Sequence, residues 1–362
     1  MVTSQDITIN QGHALELSSR YGINIEDILL IALNLCGVNS QHTYPRMRMF
    51  LKVKDKPEYT FRIIVPVHQR NSPFYLEDKR ILFNGEHFAD VFELENDDVV
   101  VSYFRKYEKV ITLNSNARSM CTGCVFCYNT LEISEDPRLR VLDDLTQYFS
   151  ILLSEKGWKD LSSLEQICLS TGCFYYEELA IKHLMMVKNT LNGFNFQGEI
   201  NYLGSVLRSN EGFKQIIEHI GKFKLTLTVE CLTNRETILK STKADLTLPM
   251  MVDLLERARE HGLDATFTYI LGLDNEAAAL HGLDMLLAHS NRMPSINLFQ
   301  AHNEYMQMFA AEGANTIEWY LKMRLEIEKL LIKYGLEATT WECYRSLWYF
   351  TFDGRPIPYS GW

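Results

Sequence analysis

From about Lys109 onward the sequence repeats one pattern, strand then loop then helix, and this repetition restricts the fold more than any other feature. Val110–Leu113 reads as the first strand and Leu164–Ser170 as the second. Gly198–Leu203, Lys224–Glu230, Ala265–Leu271 and Ile296–Phe299 follow as the third to sixth. Helical stretches over Asp143–Ser154 and Tyr176–Leu191 separate them. A further helix is opened by Pro249, with Met251, Leu254, Leu255 and Ala258 on one face. Strands joined through helices run parallel, with right-handed crossovers. The class is α/β, and six such units fit a partial (β/α)6 barrel. The pattern itself also allows an open doubly wound sheet. Either arrangement puts the chemistry at the C-terminal ends of the strands.

The flanks read differently. Residues 1–108 suggest a small N-terminal α+β module. A helix over Ile23–Cys36 is ended by Gly37, and strand-like runs follow at Met47–Val53, Tyr59–Val67, Arg80–Phe83 and Asp98–Phe104. The module is expected to contact substrate, a partner, or only the barrel it precedes. Residues 109–310 form the barrel. Residues 311–362 supply a C-terminal helix and an aromatic-rich extension. Ile317, Tyr320, Leu321, Ile327, Leu330, Leu331 and Tyr334 recur there at helical spacing, which indicates core packing. The tail from Trp341 to Phe352 reads as a strand or cap.

Composition sets the outer bounds. A hydrophobic fraction of 46% in 362 residues supports a large core. The net charge of −10 argues against an extended phosphate-binding surface, so nucleic acid is not the expected partner. Cys36, Cys168, Cys173, Cys231 and Cys343 are scattered, as in a reduced compartment. The N-terminus has no basic segment followed by an apolar run, and no apolar stretch approaches the ~18 residues of a membrane span. A cytoplasmic location without membrane attachment is expected.

Between the first strand and its helix lies Arg118-Ser-Met-Cys-Thr-Gly-Cys-Val-Phe-Cys-Tyr-Asn129. Cys121, Cys124 and Cys127 are each separated by two residues, so three thiolates can reach three corners of one metal centre. Thiolates select zinc, Cu(I) or an iron–sulfur cluster. Structural zinc normally closes with a fourth protein ligand, and no second Cys/His pair follows nearby. A cubane with one open iron fits the three-cysteine set better.

Gly123-Cys-Val-Phe-Cys-Tyr-Asn129 resembles the cluster loop of the radical S-adenosylmethionine (radical SAM) enzymes. In that family the usual spacing is three residues and then two. Here it is two and two, with Met120 where the first cysteine would stand. The resemblance implies a TIM-like partial barrel and a [4Fe–4S] cluster on Cys121, Cys124 and Cys127. It also implies S-adenosyl-L-methionine on the open iron, cleaved reductively to a 5′-deoxyadenosyl radical. A reductant such as flavodoxin or ferredoxin is implied as a partner.

The resemblance extends to the strand ends, where it implies cofactor contacts. Phe126 precedes the last cysteine. Thr171 and Gly172 end the second strand, in place of the family's Gly-Gly-Glu. Ser205 and Arg208, just after the third strand, are candidates on their own chemistry, since a guanidinium pairs bidentately with a carboxylate, while Glu230 ends the fourth at a position resembling a family cofactor contact. Arg235 and Lys240 are alternative contacts just beyond. Ile270 lies in the fifth strand, ahead of Gly272-Leu-Asp-Asn-Glu276, which resembles the adenine-supporting segment. His302 follows the sixth. The expected function is hydrogen abstraction from a small-molecule metabolite. Two alternatives stay open: a radical SAM enzyme that modifies a peptide, and a non-catalytic iron–sulfur or zinc protein.

Overall fold

A computed structural model describes residues 7–68, 72–96, 102–114, 123–127, 139, 141–170, 174–301, 303–339 and 345–358. By internal contacts the chain forms two units. The first comprises Met1–Asp98, Tyr269–Asp284 and Ser295–Trp362, and the second Val99–Thr268 and Met285–Pro294.

The chain begins with α1 (Gln11–Tyr21) and α2 (Ile25–Cys36), then β1 (Val38–Asn39), β2 (Arg46–Val53), β3 (Phe61–His68), β4 (Phe74–Glu77), β5 (Arg80–Phe83) and β6 (Glu86–Asn96). Asn10 caps α1 by accepting from the His13 N–H, and Gly22 and Gly37 end the two helices. The strands close into a barrel in the order β1-β3-β2-β6-β5-β4. Met47, Met49, Leu51, Phe61, Ile63 and Val65, which alternate along β2 and β3, are fully buried. The sequence indicates mixed α and β structure here but not closure. Both β4 and β6 escape the sequence reading, because Glu86–Asn96 carries charges on its outward positions and has few consecutive apolar residues.

The chain continues with β7 (Ser102–Arg105) and β8 (Val110–Leu113), then α3 (Leu142–Lys156), β9 (Gln166–Leu169), α4 (Glu177–Gly193), β10 (Glu199–Gly204), α5 (Asn210–His219) and β11 (Phe223–Glu230). Two short helices follow, α6 (Arg235–Ile238) and α7 (Ser241–Ala244). Next come α8 (Leu248–Glu260), β12 (Asp264–Leu271), α9 (Glu276–Leu287), β13 (Ser295–Leu298), α10 (Glu304–Gln307), α11 (Ile317–Lys333), β14 (Thr351–Phe352) and β15 (Arg355–Pro356). One seven-stranded sheet has the order β13-β12-β11-β10-β9-β8-β7. Pairing is parallel from β8 through β11, and β7 is an antiparallel edge strand. The fold is therefore mixed α/β, as the alternating pattern requires. All six strands of that pattern form within two residues of their expected bounds. Thr247 caps α8 and Pro249 lies in its first turn, where a missing N–H costs nothing. No helix among the described residues is long and apolar enough to cross a membrane.

On α4, His183 is buried against the ring of Phe174, with centroids 5.3 Å apart. Burial lowers its pKa from 6.5 to about 4. Between those values the unfolded chain takes up a proton that the folded one refuses. Stability therefore falls as pH drops through this window and levels off below it. At pH 4.5 the loss from this group is on the order of 2–3 kcal/mol. Urea unfolding of wild type and His183→Phe at pH 7 and 4.5 checks this. The variant should lose less stability on acidification, and an identical loss in both proteins would refute the assignment.

Candidate functional site

The site grows from β11. Thr226, Thr228 and Glu230 lie on one face of this strand, while Leu225, Leu227 and Val229 on the other are fully buried. The Thr226 hydroxyl donates to Asn201 Oδ1 on β10 at 2.7 Å, and Asn201 Nδ2 donates to Cys168 Sγ on β9 at 3.4 Å. From β12 the Thr268 hydroxyl donates to Glu230 Oε2 at 3.3 Å. The Thr228 hydroxyl, on a side chain as deeply buried, has no partner among the described residues. Closed eight-stranded barrels fill this position with Val, Ile and Leu. Here the same face is a row of hydroxyl, amide and thiol groups.

At the end of β11 the backbone of Glu230 turns left-handed, with φ +67°. A non-glycine residue takes this conformation at a cost, and such residues concentrate at functional sites. The chain then enters residues 231–247, which several side chains clamp. Arg235 donates through Nη1 to the carbonyls of Val229, at 2.7 Å, and Cys231, and through Nη2 to Lys243 O at 2.6 Å. Ser205 Oγ donates to Thr242 O at 3.2 Å. Arg208 donates through Nε to Ser205 O at 2.6 Å and through Nη2 to Thr242 O at 2.8 Å. It also grips the Asp245 carboxylate at 2.8 and 3.0 Å, which holds that group below the usual carboxylate range.

The cysteine loop rests on this clamped segment. The Val125 N–H donates to Ile238 O at 2.9 Å, and the Lys240 N–H donates to the Cys124 thiol. A turn closed by the Cys127 N–H on Cys124 O, at 2.9 Å, brings the two cysteines together. Cys124 is buried and Cys127 half-buried. Beneath them Lys243 Nζ contacts Glu230 Oε1 at 2.7 Å, with only 13% of each side chain exposed. Burial opposes the Lys243 charge, but Glu230, Cys124 and Cys127 outweigh it and raise the pKa. Burial pushes the Cys124 thiol up, and Lys243 and the Lys240 N–H pull back against that without reversing it.

This donor set fits a thiolate-bound metal group. Two adjacent thiols face a fixed cation and an N–H donor, so their anionic forms would be compensated once a metal displaces the protons. Cys121, the expected third ligand, lies outside the described residues, as do Thr171, Gly172 and His302. Among the described residues alone no group of three His, Cys, Asp or Glu side chains could hold a metal ion.

The remaining nominated residues fall as follows. Cys124, Cys127, Ser205, Arg208 and Glu230 all meet residues 231–247. Phe126 is half-buried in the cysteine loop. Ile270 is buried in β12. In the segment that follows, Gly272 has φ +115°, and a Cβ there would stand 2.5 Å from the Tyr320 hydroxyl. Asp274, fully buried, accepts from Tyr269 at 2.9 Å. Sequence reasoning passed over Lys243 and the Arg208–Asp245 pair. Residues 231–247 show no periodicity, and a lysine in such a polar stretch carries no signal of burial. A groove of about 710 Å³ between α4 and α5, lined by Ile181, Met185, Met186 and Gln215 among others, includes none of the nominated residues.

No protein-family model matches the chain, and no curated protein matches it. Among solved structures the chain is similar to Streptococcus suis SuiB bound to S-adenosylmethionine, with a TM-score of 0.41 at 10% identity. That match covers 64% of this chain and 50% of SuiB. SuiB bound to precursor peptide SuiA gives a TM-score of 0.42 at 10% identity, over 62% of this chain and 46% of that one. The cobalamin-dependent S-adenosylmethionine radical enzyme OxsB, with aqua-cobalamin and S-adenosylmethionine bound, gives 0.34 at 13% identity, over 68% and 31%. The chain thus spans about half the length of SuiB or less, and about a third of OxsB.

Proposed function

We propose that this chain is a radical SAM enzyme acting on a polar small molecule, its sheet a partial (β/α)6 barrel with the site at the strand ends. The observation that carries the reading is the junction of Cys124 and Cys127 with the clamped segment after β11, over a buried Lys243–Glu230 pair. Cys121, Cys124 and Cys127 would hold a [4Fe–4S] cluster. When bound, that cluster supplies the electron that cleaves S-adenosylmethionine to a 5′-deoxyadenosyl radical.

The chain's own residues then have separable tasks. Ser205, Arg208 and Arg235 hold α7 by its carbonyls, and so fix where Lys243 and the Lys240 N–H point. Arg208 is engaged four times over, so its role in this reading is to position α7 rather than to grip a ligand. Glu230 and Thr228 face the same side as the polar row, where hydroxyl and amide groups suit a hydrogen-bonding ligand better than an apolar one.

Anaerobic reconstitution with iron and sulfide, then dithionite and S-adenosylmethionine, tests the reading. The expected product is 5′-deoxyadenosine, in an amount that depends on cluster content. Stoichiometric zinc with no visible iron–sulfur absorption would contradict it.

A further inference from the structure

The Lys243–Glu230 pair calls for an explanation beyond stability. A buried ion pair is seldom worth more than an apolar pair of the same size, because both charges must leave water. This one also sits where Glu230 adopts a costly backbone conformation, at φ +67°. The surrounding bonds fix it tightly. Arg235 holds the Lys243 carbonyl at 2.6 Å, and Arg208 and Ser205 both hold that of Thr242. The cysteine loop is joined to the same segment through Val125 and Ile238. Two opposite charges are thereby held at set positions beside two thiols, in a region that excludes most water. Fixed charges act strongly in such surroundings.

We propose that this pair sets the reduction potential of the metal cluster, Lys243 raising it and Glu230 lowering it. The proposal rests on the cluster reading above and concerns only the charges on these two side chains. Reduction by dithionite adds one electron to the cluster and so one negative charge. No bond or proton at either side chain changes. A cation beside the thiolates favours the added electron, and an anion opposes it. Lys243 and Glu230 are here positioning and tuning residues, with no direct part in bond cleavage.

The test is a redox titration followed by electron paramagnetic resonance on the full chain, reconstituted anaerobically. Wild type is compared with Lys243→Met and Glu230→Gln, each near its parent in size. Lys243→Met is expected to lower the reduced-to-oxidised ratio at a given potential at least tenfold, a midpoint shift of about 59 mV downward for one electron. Glu230→Gln is expected to shift the midpoint upward. A pair that serves packing alone would leave both midpoints at the wild-type value or move them in the same direction, and either result overturns the proposal. Iron content is measured alongside. If Lys243→Met fails to retain iron, the direction of the Glu230→Gln shift decides. A wild-type protein with no reducible iron–sulfur signal overturns the cluster reading itself, which separates the two failures.

Discussion

Asp27→Ala is expected to lower stability by about 3–5 kcal/mol in urea unfolding, the range for a buried charge pair deprived of one partner. Asp27 is fully buried in the first turn of α2. Its Oδ1 accepts from the N–H groups of Tyr349 and Phe350, at 2.8 and 3.1 Å. Its Oδ2 accepts from the N–H and hydroxyl of Thr351, at 3.0 and 2.6 Å. Arg324, 1% exposed, stands 3.3 Å away and also pairs with Glu328 at 3.0 Å. Glu328 in turn accepts from the Trp348 indole at 2.8 Å. Alanine strands three buried N–H donors and leaves the guanidinium with one carboxylate. Asp27→Asn keeps one acceptor oxygen and should fall between alanine and wild type. Arg324→Met leaves the Asp27 hydrogen bonds in place but strands two buried carboxylates, Asp27 and Glu328, together with the Leu347 carbonyl, and should cost at least as much as Asp27→Ala. A loss under 1 kcal/mol for the alanine variant would mean that this carboxylate does not hold the C-terminal segment to α2.

The second large effect is on chemistry. Cys124→Ala and Cys127→Ala should each abolish the iron–sulfur absorption after reconstitution and reduce 5′-deoxyadenosine to the level without protein. Each removes one of the two thiols that the described residues bring together here, and an alanine at Cys124 also takes the sulfur acceptor from the Lys240 N–H. Cys121→Ala extends the series to the shifted first cysteine. Iron content by colorimetric assay and deoxyadenosine by chromatography read the two effects separately. Full iron content with full activity in Cys121→Ala would remove that residue from the ligand set. Retention of both in Cys124→Ala would sink the cluster reading altogether.

Local pattern carried much of the architecture. Alternation along Lys224–Glu230 and the Pro249 helix start determined β11 and α8, because side-chain period and cap chemistry act within a few residues. The spacing of Cys124 and Cys127 likewise places both within one turn, closed by a backbone hydrogen bond at 2.9 Å. Glu230 stood out too, because an ionised carboxylate ending an otherwise apolar and threonine-bearing strand is not there for packing. Its partner was not legible. Lys243 comes from a stretch without period, and hydrogen bonds from Ser205, Arg208 and Arg235, distant in sequence or without local pattern, hold that stretch in place. Closure of the N-terminal barrel was equally hidden, because it depends on β1 meeting both β3 and β4, a pairing that no local propensity encodes. Asp27 makes the same point across 322 residues, where a carboxylate unremarkable in sequence becomes the acceptor for Tyr349. Thus the sequence alone determined the class of fold and the order of the strand–helix units from β8 to β13, which rest on short-range regularity. Only the tertiary structure decided which charges are buried and with what partner, because that depends on long-range packing and on the cost of leaving a buried charge unpaired.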